Sequence, residues 1–127
     1  MMISYYSLLW VGVGGFLGSV LRFWVGAGVA RLLPGYFPWG TFLINIAGCF
    51  VIGVLYGLLG RELLSSRGSK LWIIGFCGGF TTFSSFSYDG IRLLQEQHWW
   101  LYGVYTGGSV LIGLLATFLG WTLVRVV

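Results

Sequence analysis

The chain has 127 residues, 57% hydrophobic and only 8% charged, against about 25% charged in an ordinary soluble domain. Long apolar runs with so little charge exclude a soluble domain and define an integral membrane protein; at about 20 residues per span there is room for four helices and no separate soluble domain. A net charge of +4, scattered along the chain, excludes a nucleic-acid footprint, which needs Lys and Arg clustered on one face.

The start, Met1 to Trp10, lacks a basic n-region and a small-residue cleavage site, so it reads as the beginning of a retained first helix. Span one is expected over residues 3–29. Gly14, Gly18, Arg22 and Gly26 are spaced by four and share one helical face, a pattern that lets backbones approach closely. Arg22 is costly at that depth unless it reaches the interface or faces a polar vestibule. Pro34, Gly35 and Pro38 make a turn. Span two is expected over residues 40–60, with Thr41, Asn45, Gly48 and Ile52 on one face. Asn45 lies among Leu43, Ile44, Ile46 and Ala47, so its amide must find a partner on another helix or face a wet cavity.

Residues 61–70 form the one clearly polar loop, and span three follows over residues 71–94. Its centre is the run Gly75-Phe76-Cys77-Gly78-Gly79-Phe80-Thr81-Thr82-Phe83-Ser84-Ser85-Phe86-Ser87. Each glycine of the pair costs a helix about 1 kcal/mol relative to Ala. A break is therefore expected between Gly78 and Thr81, and the backbone groups it frees must be satisfied by protein, water or an ion. Phe80, Phe83 and Phe86 recur every third residue as a ridge, with hydroxyls between them. One reading is packing glue; the other is a polar seam for something small. Asp89 and Arg92 sit three apart and can pair on one helix face.

The turn at residues 95–100 carries tryptophans suited to an aromatic belt. Span four is expected over residues 101–124, with Tyr105, Ser109, Gly113 and Thr117 on one face. Four spans put Arg61, Arg67, Lys70 and Arg125 on one side, against Arg31, Arg92 and, if it snorkels there, Arg22 on the other. So small a bias is compatible with insertion in both directions, and hence with an antiparallel homodimer, or with one fixed orientation. Cys49 and Cys77 read as buried thiols and His98 as solvated. No nucleophile–base pair, carboxylate pair or metal cluster can be assembled, which argues against an enzyme.

The third-span run, together with Gly14-Gly15 through Gly18 to Arg22 and Gly40-Thr41 through Asn45 to Gly48, resembles the signature of the CrcB/Fluc fluoride channels over nearly the whole chain. The resemblance implies an all-α membrane protein of four transmembrane helices, the third broken mid-membrane, in a dual-topology antiparallel homodimer within the lipid bilayer of a prokaryotic inner membrane. It implies two pores that export fluoride passively and lower its cytoplasmic concentration. On that template Phe83 and Phe86 offer ring edges to fluoride, and Asn45 is the pore amide. Ser84 and Ser85 lie near the ion path, Tyr105 and Ser109 form a fourth-span polar track, and Thr41 belongs to the pathway. Arg22 lies near the vestibule, and carbonyls at Gly78 and Thr81 hold a structural Na+ at the dimer centre. Gly113 departs from the template, standing where a further hydroxyl is expected on the polar track.

The chemistry agrees with this resemblance. A strongly hydrated anion needs neutral hydrogen-bond donors that replace its water yet let it leave, and aromatic edges carry partial positive charge. One rival is a small dual-topology proton-coupled multidrug exporter. It needs an intramembrane carboxylate, whereas Glu62, Asp89 and Glu96 fall in or near loops and span ends. A second rival is a non-transporting scaffold subunit whose glycines serve only packing.

Overall fold

The computed structural model describes residues 3–127 and is all-helical. Met1 and Met2, where the expected N-terminal segment begins, lie outside the described residues. Helix α1 (Tyr5–Leu32) is capped by Ser4, whose hydroxyl accepts from the Tyr6 N–H, and it ends just before Pro34. Helix α2 (Trp39–Gly60) starts directly after Pro38. Helix α3 covers residues 66–80 in three continuous pieces: Ser66–Gly68, a π-helical stretch Ser69–Cys77, and Gly78–Phe80. Helix α4 (Phe83–Gln95) follows, and α5 (Trp99–Val126) closes the chain. Helix α1 runs three residues past its expected end, up to the turn at Pro34, whereas α2 ends at Gly60 as expected, just before Glu62 at positive φ.

Among the described residues α1, α2 and α5 are long and apolar enough to cross a membrane. All three are apolar nearly all round, and many of their large side chains are exposed. Such surface requires lipid or another apolar partner. Helix α4 differs: Phe83, Phe86 and Ile91 share it with Ser85, Asp89 and Arg92, so it is amphipathic and shorter than a span.

Packing is pairwise, α1 along α3 and α2 along α5, with α1 also touching α2. Small residues make these contacts. A Cβ on Gly75 would lie 2.6 Å from the Val11 carbonyl, and one on Gly79 would lie 2.6 Å from the Gly15 carbonyl. On the other pair, a Cβ on Gly53 would collide with the Thr117 carbonyl. Backbone meets backbone at these points, so no side chain can move aside.

The interruption of the third helical region falls at Thr81 and Thr82, both extended (φ −83°, ψ 155° and φ −148°, ψ 116°). Gly78 and Gly79 themselves stay helical; at Gly79, close packing against Gly15 of α1 offsets the propensity cost. The phenylalanine ridge is therefore divided. Phe80 is buried at the end of α3, whereas Phe83 and Phe86 belong to the next helix.

Gly75→Ala is expected to lower stability by about 1–3 kcal/mol, the usual cost of overpacking. Gly28→Ala, whose Cβ meets nothing within 4 Å, is expected to lose none. Thermal unfolding of the two variants in detergent checks the contrast.

Candidate functional site

The site is built around the interruption. The Thr82 N–H donates to Asn45 Oδ1 (2.8 Å), and Asn45 Nδ2 donates to the Thr82 carbonyl (3.1 Å). The carboxamide thus pairs with the backbone of one residue in both directions, which also fixes which end is oxygen and which nitrogen. One Nδ2 hydrogen is left over. Of the two expectations for Asn45 the long-range hydrogen bond is the one seen; the residue also lines a cleft.

Thr82 then caps α4. Its hydroxyl accepts from the Ser85 N–H (3.1 Å), donates to the Ser85 hydroxyl (3.1 Å) and lies 3.2 Å from that of Ser84. Upstream, the Thr81 hydroxyl donates to the Cys77 carbonyl (2.8 Å). Arg22 Nε donates to the Gly79 carbonyl (3.0 Å), so the guanidinium turns inward to the helix end rather than only snorkelling.

Two clefts flank this knot. The larger, about 620 Å³, is lined by Arg22, Thr41, Ser85, Asp89 and Arg92, among others, and by Thr82. The smaller, about 320 Å³, is lined by Asn45, Thr81, Phe83, Phe86 and Ser109, and again by Thr82. Thr82 stands between them. Thr41 and Asn45, one helical turn apart, serve different clefts. Phe83 is 80% exposed, and its ring centroid lies 5.7 Å from that of Phe86. Phe86 in turn tilts against Tyr105, at 5.2 Å between centroids.

Tyr105 is fully buried, and its hydroxyl donates to Asp89 Oδ2 (3.3 Å). Asp89 also faces Arg92 at 3.8 Å, the pairing expected from their spacing. Tyr105 therefore joins the phenyl rings of one cleft to the charged lining of the other. The Ser109 hydroxyl is buried with no hydrogen-bond partner, and an orphaned polar group of this kind costs about 1–3 kcal/mol. Ser84 is exposed beside Thr82. Gly113 does not extend the polar track: a Cβ there would sit 3.3 Å from Cys49 Sγ, so the position is occupied by α2–α5 packing.

Gly78 and Thr81 both present carbonyls without the donor that an unbroken helix supplies. The Thr82 N–H goes to Asn45 instead of Gly78, and the Ser85 N–H goes to the Thr82 hydroxyl instead of Thr81. Gly78 is exposed, with open space where a Cβ would stand. Free carbonyls of this kind suit a hard cation. Among the described residues there is no His, Cys, Asp or Glu cluster that holds a metal.

Thr82 was not among the residues singled out from sequence as a site, though it anchors the whole arrangement. A signal was present: Thr82 lies three residues before Ser85 at a helix start, the spacing of an N-cap. Asp89 was expected as a pairing partner for Arg92 but not as an acceptor for Tyr105, whose contact is long-range.

A multi-pass membrane protein with a polar, aromatic-edged seam is the class that these helices and clefts define. The family described as CrcB-like protein, Camphor Resistance (CrcB), matches residues 9–121, and the chain belongs to that family. It is 46% identical over 118 residues to a fluoride-specific ion channel FluC of Rhizobium etli, covering 92% of this chain and 94% of the relative. Relatives of the same name in Phocaeicola vulgatus (43% over 114 residues; 90% and 94% covered) and Chlorobium luteolum (42% over 115 residues; 90% and 88%) are also similar. The relatives are ion channels by name and not enzymes.

Asn45→Ala removes both hydrogen bonds to Thr82 at once. The Thr82 amide is expected to exchange with solvent on the order of tenfold or more faster, from about 1–3 kcal/mol of lost local stability. Amide hydrogen exchange of the two proteins measures this.

Proposed function

We propose that this chain is the protomer of a fluoride channel: four transmembrane segments, the third broken, in a dual-topology antiparallel homodimer. Its two pores pass fluoride down its gradient out of the cell, and a structural Na+ sits at the dimer centre. The reading rests on the family of the chain and the name its relatives carry. One observation from the molecule itself supports it most. The smaller cleft is lined by Asn45, whose amide keeps a spare hydrogen, and by Ser109, whose hydroxyl is buried without a partner, together with Phe83 and Phe86.

Fluoride holds its water strongly, so a dry path must offer replacement donors. Neutral hydroxyl and amide donors do so without trapping the ion, as a full positive charge would. Ring edges add a weak positive field. Arg22, a fixed cation beside the interruption, already gives Nε to the Gly79 carbonyl. The cleft lies open on one protomer, and 80% exposure of Phe83 invites cover by an inverted copy. The freed Gly78 and Thr81 carbonyls from two copies would supply four oxygens to a Na+, as unwound helices do in transporters. The multidrug-exporter alternative finds no support: the one carboxylate near the clefts, Asp89, is engaged by Arg92 and Tyr105.

In liposomes loaded with potassium fluoride, or in a parallel sample with potassium chloride, and made permeable to K+, the protein is expected to release fluoride to an electrode without a proton gradient, while chloride stays inside. No efflux from a well-folded dimer would remove the channel reading. Phe83→Ile and Asn45→Asp are each expected to cut the release at least tenfold while the dimer survives. Full activity in both would show that the pore lies elsewhere.

Replacing Na+ by a bulky organic cation is expected to lower the melting temperature of the purified dimer. A melting temperature indifferent to that exchange would exclude the sodium site.

A further inference from the structure

Away from both clefts, a recess of about 320 Å³ lies where the beginning of α1 meets the beginning of α3. We propose that it binds the phosphate of an anionic phospholipid headgroup. The inference does not depend on the transport activity, since the recess shares no lining residue with either cleft.

Its lining is donor-rich. Ser66, Arg67 and Lys70 come from the first turns of α3; Tyr6 and Ser7 at the start of α1, with its cap Ser4, line the other side. No carboxylate lines it, and among the described residues neither Arg67 nor Lys70 is ion-paired with one. Two unneutralised cations amid hydroxyls form a setting for an anion with several oxygens. Two other exposed cations are engaged: Arg61 Nη1 donates to the Val124 carbonyl (2.7 Å), and the Arg125 guanidinium lies 4.2 Å from the centroid of the Trp121 ring. Among the described residues Arg67 and Lys70 make no side-chain hydrogen bond, ion pair or cation–π contact.

The occupant is a lipid rather than a solute because of where the recess sits. It opens at the end of a helix long and apolar enough to span a membrane. Tyr5 and Tyr6 are exposed there, and Trp10, one turn farther in, lines the recess; aromatic rings of this kind sit at the headgroup level. Below them Leu9 and Phe16 are exposed on α1 and offer acyl chains a surface. Clustered basic residues beside a membrane helix recognise anionic headgroups through the same electrostatics.

The full-length protein in neutral detergent, supplemented with phosphatidylglycerol or with phosphatidylcholine, tests this. Phosphatidylglycerol is expected to raise the melting temperature above the phosphatidylcholine value, and native mass spectrometry to show retained phosphatidylglycerol. An Arg67→Gln/Lys70→Gln double variant is expected to lose both effects while melting normally in phosphatidylcholine. A charge-keeping Arg67→Lys/Lys70→Arg variant is expected to keep them, as is Arg125→Gln. The proposal is overturned if wild type shows no preference between the lipids, or if the double variant keeps it. It is equally overturned if Arg125→Gln loses it, which would show a general charge effect, or if inorganic phosphate alone reproduces it, which would show a solution-anion site.

Discussion

A side-chain amide on one helix takes the place of a missing backbone bond on another. The third helical region cannot simply stop inside an apolar layer, because each unsatisfied peptide group there costs several kcal/mol. Asn45 resolves this for Thr82 by meeting both its N–H and its carbonyl. Several other features follow from that clasp. Thr82 is held extended, so its hydroxyl faces forward to cap α4 and orient Ser85. The Gly78 and Thr81 carbonyls lose their helical donors. Asn45, held from one side, keeps one hydrogen to spare.

Around this knot the chain spends its few polar groups economically. Arg22 meets the Gly79 carbonyl, Thr81 meets Cys77, and Tyr105 and Arg92 meet Asp89. Every one of these contacts satisfies a group that is expensive to bury alone. Ser109 has no such partner. It lines the smaller cleft together with Phe83 and Phe86, with its hydrogen-bonding capacity uncommitted among the described residues.

Close backbone contact keeps these groups in register. In a bilayer, helix association gains little from excluding water, so it depends on fit and on small residues. The glycine contacts between α1 and α3, and between α2 and α5, hold the pairs rigid. The same logic explains Gly113. A side chain there would press on Cys49, so close packing of α2 on α5 takes precedence over another hydroxyl.

The long apolar runs determined that the chain is helical and lives in a membrane, since a helix satisfies every backbone group of such a run within itself. The spacing of Gly14, Gly18 and Arg22 marked one face of α1, and the hydroxyl-rich run with Phe83 and Phe86 marked the site, because both are local patterns. Only the tertiary structure decided where the third helical region opens. The glycine pair with Thr81 and Thr82 beside it pointed to this neighbourhood, but Gly78 and Gly79 stay helical, Gly79 against Gly15, and the long-range bond from Asn45 draws out Thr82. Likewise, spacing grouped Thr41 with Asn45 and Phe80 with Phe83, whereas the folded chain parts each pair. Periodicity records the face of a regular helix; it carries no information about what the neighbouring helix brings to that face, or about where the helix ceases to be regular.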